Sequence, residues 1–319
     1  MVTRAFVTGI GGQDGSYLAD RLVDDGLEVH ALVLDADGSP EHCPPGVVFH
    51  PGDVADVDAV RAVLLDVDPH EVYNLAAISS VAQSWSEPDL TARVNGLGAV
   101  GLLESALAVQ DRHGHPVAFV QASSAEMFGE PSVSPQDEAT PIRPVNPYGA
   151  AKAYAHLAVG VYRRRDLHAV GAILYNHESP RRPDRFVTRR ITATVAAIAR
   201  GRADRLVLGN LDSRRDWGWA PDYVDALVRA ARADRADDYV IATGVGHTVR
   251  DFAAAAFARA GIADWEPLLE SDPALFRPAD ALDLTGDSSK AQRDLGWSPT
   301  VDFAEVVGRM VDADLELLD

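Results

Sequence analysis

Tyr148 and Lys152, in "NPYGAAKAYAH", stand four residues apart, so a helix would carry both on one face. A tyrosine titrates near about 10 and is a poor base at neutral pH; a neighbouring cation would favour its phenolate. Tyr-x-x-x-Lys arises often by chance on surface helices, so the pair takes its meaning from what accompanies it. The run "QASSAEMFG", residues 121–129, follows an apolar strand and offers Ser124 and then Glu126. Ser124 would hydrogen-bond the same substrate hydroxyl that Tyr148 deprotonates. A glutamate just beyond a strand end is a candidate general base, the bland alternative being a surface or cap-like carboxylate.

The N-terminal "VTGIGGQDGSYL" places Gly9, Gly12 and Gly15 between a first strand and a first helix. Gly9 permits a tight turn, Gly12 lets the backbone approach a pyrophosphate, and Gly15 lets helix and strand pack closely, with the helix N-terminus facing the negative charge. The alternative is a merely flexible loop, but strand, turn, helix and second strand are all in place. A dinucleotide cofactor is therefore expected, and its oxidised nicotinamide is a cation that would favour the Tyr148 phenolate. Asp35, twenty residues after Gly15, stands where an acidic residue accepts from the adenosine ribose, and it would repel a 2′-phosphate. NAD is expected over NADP. Asp53 in "PGDV" is a candidate for the adenine amine or, equally, an aspartate that starts a helix.

These residues need a scaffold. Strands are expected at 4–8, in "LEVHALVL" leading to Asp35, in "VVFH", in "EVYNLA", at 117–121 and in "HAVGAILY". Helices are expected at 13–25, 57–67, 90–110 and 148–165, with Gly26 closing the first. Strands alternating with helices imply right-handed crossovers and a parallel sheet. After Tyr175 the rhythm changes: a loop "NHESPRRPDRF", a helix at 187–200, then shorter and more irregular elements. The expected fold class is α/β, a doubly wound parallel sheet with a smaller interleaved region. Residues 1–175 and 213–244 would form the dinucleotide-binding part, and 176–212 and 245–319 the part over the sheet's carboxyl edge.

Composition narrows the function classes. The 319 residues are 47% hydrophobic, enough for one large core or two coupled ones, and the net charge of −19 opposes nucleic-acid binding. The single cysteine, Cys43, excludes an intramolecular disulfide and fits a reducing compartment. No stretch approaches the ~20 apolar residues of a membrane helix, and the N-terminus reaches a glycine too soon for a signal peptide. A soluble cytoplasmic protein is expected, without metal, membrane or nucleic-acid partners. Arg181, Arg182, Arg185, Arg189 and Arg190 fall within ten residues of this acidic chain. Such a run is either a solvated face or a site for diphosphate oxygens.

The tyrosine–lysine pair, Ser124 and the glycine turn together resemble the extended short-chain dehydrogenase/reductase superfamily. The ordered motifs "TGIGGQDGSYLADRL", "VYNLAAISSVAQSW", "QASSAEMFGE", "YGAAKAYAH", "LYNHESPRRPDRFVTRRIT", "LGNLDSRRDWGWAPDYVDA", "FRPAD" and "GDSSKAQRDLGWSP" resemble GDP-mannose 4,6-dehydratases over nearly the whole chain. The resemblance implies a Rossmann fold of the extended type and a lyase of deoxysugar biosynthesis. Such an enzyme oxidises the sugar at C4, removes the C5 proton, eliminates water from C6 and returns the hydride to C6. It implies that Ser124, Glu126, Tyr148 and Lys152 are catalytic, Glu126 as the C5 base. It implies cofactor contacts from Gly9, Gly12, Gln13, Asp14, Gly15, Asp35, Asp53, Val54, Leu75, Ala76, Ala77, Tyr148 and Lys152. Nucleotide-sugar contacts are implied for Asn176, Arg190, Arg215, Arg277 and Asp280.

Three departures from the family pattern mark a divergent member. Ala125 replaces a serine, "HALVLDADG" replaces a basic NADP grip, and the loop after it is short and proline-rich. A homodimer through the helices at 90–110 and 148–165 is expected, with a tetramer as the alternative. The competing activities are a C4 epimerase or 4-keto-sugar reductase on the same scaffold, and a non-catalytic nucleotide-sensing module.

Overall fold

The first apolar run is a central strand, which explains why it lacks polar alternation. β1 (Arg4–Thr8) pairs on both sides, and its Ala5, Phe6 and Val7 are fully buried. The structure, a computed structural model, describes residues 3–34, 40–276 and 283–319. Further strands are β2 (Glu28–Val33), β3 (Val48–Pro51), β4 (Glu71–Asn74), β5 (Ala118–Ser124) and β6 (His168–Leu174). They alternate with the helices Gln13–Asp24, Val57–Val67, Gly98–His113 and Pro147–Arg163. Beyond Tyr175 come β7 (Asn176–Glu178), β8 (Leu206–Leu208), β9 (Arg214–Trp219) and β10 (Asp238–Ile241).

Among the described residues the main sheet has seven parallel strands in the order β10-β6-β5-β4-β1-β2-β3. The order reverses between β1 and β4, and in a doubly wound sheet ligands bind outside the strands' carboxyl ends at that switch point. One face of the sheet packs on Leu18, Leu22 and Val228, the other on Leu64, Leu102 and Val159. A third apolar cluster, around Ile191, Trp217, Phe252 and Met310, belongs to later elements. Those elements also build a small sheet in which β9 pairs with β7, β11 (Gly246–Thr248) and β13 (Asp283–Leu284), while β12 (Leu269–Ser271) pairs with β8.

Two elements differ from expectation in ways that bear on the site. β5 does not stop at residue 121: its pairing with β6 continues to Ser124 opposite Leu174. Tertiary pairing thus overrides the turn preference of the two serines. The helix expected at 90–110 is broken into Pro88–Thr91, a π-helical stretch Ala92–Leu97 and Gly98–His113. The wide turn carries Asn95, whose amide grips both backbone groups of Ile78, accepting from its N–H at 2.8 Å and donating to its carbonyl at 3.0 Å. A π-bulge of this kind displaces one residue out of helical register, and here it anchors the chain leaving β4.

Candidate active site

At the carboxyl end of β1, Gly9 adopts φ +75°, and a Cβ there would lie 2.7 Å from the backbone of Leu75 and Ala76. A Cβ at Gly15 would lie 2.2 Å from the Gly9 carbonyl oxygen. The turn is therefore pressed between β4's exit and the helix Gln13–Asp24, closed by Gly12 N–H donating to Gly9 O at 3.0 Å. The first N–H groups of a helix have no partner inside it, and the backbone packing at Gly9 and Gly15 draws the turn and the start of this helix tightly together. A cleft of about 470 Å³ lies beyond, lined by Asp14, Leu75 and Ala77 and continuing to Ser124, Glu126, Tyr148 and Lys152. The residues present fit a dinucleotide.

The side chains of Gln13 and Asp14 engage β7 and the residue after it. Gln13 Nε2 donates to the His177 carbonyl at 3.1 Å, and Ser179 Oγ donates to Gln13 Oε1 at 2.9 Å. His177 Nε2 lies 2.8 Å from Asp14 Oδ2, and its Nδ1 lies 2.7 Å from the Tyr175 carbonyl. A carboxylate and a carbonyl can only accept, so both ring nitrogens carry protons and the ring is an imidazolium. Burial alone would pull this histidine down, but the Asp14 carboxylate outweighs it and holds the imidazole above its ordinary value. Burial likewise pushes the Asp14 carboxyl up, and His177 overrides it so that the net shift is downward.

The arginine run is divided by the fold rather than gathered at one anion. Arg181 donates to Ser16 Oγ at 3.1 Å and Asp20 Oδ2 at 2.9 Å, and stacks on Tyr17. Arg182 lies 3.2 Å from the buried Glu178 carboxylate, and Arg189 pairs with Asp314. Only Arg185 and Arg190 of the five are exposed, and both line the cleft. The guanidinium fork matches a carboxylate as well as a phosphate, so spacing alone could not reveal which arginines the chain itself engages.

Ser124 ends β5; its Oγ accepts from Glu126 N–H at 3.3 Å, and it lies close enough to the Tyr148 phenol to lower its pKa. Tyr148 and Lys152 sit in the first turns of Pro147–Arg163, with Pro147 at the first position and Asn146 as cap. Lys152 is 3% exposed, and its Nζ donates to the Ala122 carbonyl at 2.8 Å and lies 5.9 Å from the Tyr148 ring centre. Burial lowers its ammonium to about 8. The expectation that this lysine depresses the phenol is not met by the chain alone. Burial dominates and pushes Tyr148 up to about 12, with Ser124 opposing and Glu126 reinforcing the shift. Glu126 lies in the turn Ala125–Met127, held by Asn146 Nδ2 at 2.9 Å and 3.9 Å from Arg215 Nη2.

Sequence reasoning missed the polar chain behind Lys152. Thr8 Oγ1 donates to Asn74 Oδ1 at 2.7 Å, Asn74 Nδ2 donates to Gln121 Oε1 at 2.8 Å, and Gln121 Nε2 donates to the same Ala122 carbonyl at 3.0 Å. A signal was present: each is a polar residue in a strand that is otherwise largely apolar and buried. Satisfied buried networks of this kind rigidify what they hold.

Asn176, Arg190 and Arg215 also line the cleft; Asn176 opens β7 and Arg215 lies buried on β9. Ala76 donates its N–H to Thr8 Oγ1 at 3.1 Å, behind the glycine turn. Asp53 is exposed, with Oδ1 accepting from Ala55 N–H, and the helix that follows is capped by Asp56 instead. Neither Asp53 nor the buried Val54 lines the cleft. Asp35, Arg277 and Asp280 lie outside the described residues.

Residues 6–310 match the family described as GDP-mannose 4,6 dehydratase. The chain is similar to GDP-mannose 4,6 dehydratase 1 of Arabidopsis thaliana, at 43% identity over 98% of this chain and 90% of that protein. It is similar to the GDP-mannose 4,6 dehydratase of Homo sapiens, at 40% identity over 98% and 92%. Among solved structures it resembles a UDP-glucose 4-epimerase of Thermus thermophilus in complex with NAD, with 30% identity, a TM-score of 0.85 and coverage of 98% and 99%.

Proposed function

Because the chain belongs to the GDP-mannose 4,6-dehydratase family, we propose that it converts GDP-mannose into GDP-4-keto-6-deoxymannose. It is a nucleotide-sugar 4,6-dehydratase. The observation that carries the mechanistic reading is a carboxylate, Glu126, held in the cleft beside Ser124, Tyr148 and Lys152. A C4 epimerase or reductase needs no base at C5, whereas elimination does.

NAD, which the glycine turn, Tyr148 and Lys152 would hold, would supply a reversible hydride acceptor. Tyr148 takes the proton of the C4 hydroxyl, which Ser124 orients. The positive charges of Lys152 and the oxidised nicotinamide would oppose the burial that otherwise keeps this phenol protonated. Once C4 is a ketone the C5 proton is acidic; Glu126 removes it and passes it to the C6 hydroxyl, which leaves as water, and after hydride adds to C6 a proton from solvent returns to C5. Asn176 and Arg215 hold the nucleotide diphosphate, with Arg277 beside it and Arg190 at the rim of the cleft, and Asp280 takes the nucleotide ribose. NAD is favoured over NADP by Asp35. Residues 1–175 and 213–244 serve the cofactor, and 176–212 and 245–319 the nucleotide sugar.

A homodimer is supported by an exposed apolar stripe. Tyr154, Leu157 and Val161 on Pro147–Arg163 stand beside Leu90 and Leu97, and Tyr154 packs on Gly96. A second copy would cover both helices. No helix of the described residues is long and apolar enough to cross a membrane, and we place the enzyme in the cytoplasm. Incubation with a panel of nucleoside-diphosphate hexoses and NAD, followed by mass spectrometry, tests the reading. Loss of water from GDP-mannose is expected; an isomer of unchanged mass would make the chain an epimerase, and net cofactor consumption a reductase.

A further inference from the structure

Asn146 is 4% exposed and has both ends of its amide engaged. Its Oδ1 accepts from Gly149 N–H at 2.8 Å, capping the helix that carries Tyr148, and its Nδ2 donates to Glu126 Oε2 at 2.9 Å. Turning the amide over would set N–H against N–H and oxygen against carboxylate, so the two partners fix its orientation. The helix is pressed close at this point: a Cβ on Gly149 would lie 2.4 Å from the Glu126 carbonyl oxygen. Glu126 Oε1 is left as the oxygen nearer Arg215, at 3.9 Å.

We propose that Asn146 is a positioning residue for the C5 base: it clamps Glu126 to the helix of Tyr148 and leaves Oε1 to take the proton. The inference rests on the reading of Glu126 as that base. It assigns one residue a double duty, because the amide that starts the Tyr148 helix also orients the carboxylate. The base and the C4 acid–base residue are thereby held in one rigid unit, and a neutral amide does this without adding a charge beside Glu126.

Two variants keep the cap and change only the clamp. Serine and aspartate both cap helices well. Asn146→Ser gives up the donor to Glu126, and loss of deuterium from C5 in a single turnover is expected to slow about ten- to hundredfold. C4 oxidation and the KM for the nucleotide sugar should stay close to wild type. Asn146→Asp sets a carboxylate against Glu126, so the acid limb of the elimination rate should move up by about one pH unit or more. The charged or titratable groups facing Glu126 are Arg215 from β9 and Tyr148 from the capped helix, and neither changes in these variants. Glu126→Gln is the reference. If it stalls elimination while both Asn146 variants show the wild-type rate and pH limb, the clamp is overturned and the base stands. If Glu126→Gln itself eliminates normally, the base reading falls and takes the clamp with it. Equal loss of C4 oxidation and elimination in both Asn146 variants would reduce Asn146 to a helix cap and overturn the proposal.

Discussion

Asp14 and Glu126 line the same cleft, yet the chain holds them in different ways. Asp14 is locked against the His177 imidazolium at 2.8 Å and held below the usual carboxylate range, with Gln13 also donating to it. It is a fastener between the glycine turn and β7. Glu126 has one oxygen held by a neutral amide, and the other is 3.9 Å from Arg215, beyond hydrogen-bond distance. Both oxygens of Asp14 are hydrogen-bonded by the chain itself, whereas Glu126 is hydrogen-bonded through Oε2 and meets the buried Arg215 at ion-pair distance through Oε1. Both are carboxylates lining one cleft, and it is their partners that differ.

The largest effect expected at the chemical end is that of Tyr148→Phe, which removes the proton acceptor with little change in volume. Turnover should fall about ten-thousandfold, while calorimetric NAD binding is retained; a variant keeping most of its rate would remove Tyr148 from the chemistry. Glu126→Gln should cost about a hundred- to thousandfold, with reduced-nicotinamide absorbance building up in a single turnover because C4 oxidation still proceeds. Near-normal elimination would make Glu126 as purely structural as Asp14.

At the fastening end the effect should appear in stability. Asp14→Asn breaks a partly buried ion pair and should destabilise the fold by about 2 kcal/mol, measured by denaturant unfolding near pH 6. The pH dependence has a definite sign. The carboxyl of Asp14 is lowered, so its contribution is present above the ordinary value of 3.8 and is lost as pH falls through the folded value. His177 is raised, so its contribution is present below the ordinary 6.5 and is lost as pH rises through the folded value. The gap between wild type and Asp14→Asn should therefore be widest between these limits and narrow on both sides; a gap independent of pH would contradict the imidazolium. The smallest effect separates the arginines. Arg190→Ala should raise the KM for the nucleotide sugar about tenfold, as expected for a lost charged contact, and leave the melting temperature unchanged. Arg181→Ala should lower the melting temperature and leave KM alone. The reverse pattern would mean that the run was assigned the wrong way round.

The parts of the site legible in the sequence were those set by spacing. The glycine triplet implied a pressed turn, and at Gly9 and Gly15 a Cβ would indeed collide with backbone. Tyr148 and Lys152 share a helix face because 3.6 residues per turn puts them there. The helix at 57–67 has the bounds that its apolar period suggested. The arginine run was left open between a solvated face and an anion site because five similar side chains look alike in a string, and only the fold shows three of them paired with Asp20, Glu178 and Asp314. The break in the helix after residue 91 was hidden because it accompanies a contact outside the helix, Asn95 gripping Ile78 17 positions earlier in the chain.

The sequence by itself determined the alternation of strands and helices, the glycine turn and the pairing of Tyr148 with Lys152. Each depends on steric preferences and periodicities within a few residues, which a linear string records directly. The tertiary structure alone decided which partners each carboxylate meets. Asp14 meets His177 across 163 positions of chain and Glu126 meets Asn146 across 20. Such contacts are chosen by how the sheet brings strand ends together, and the free energy of a charged group depends on the burial and partners it meets there.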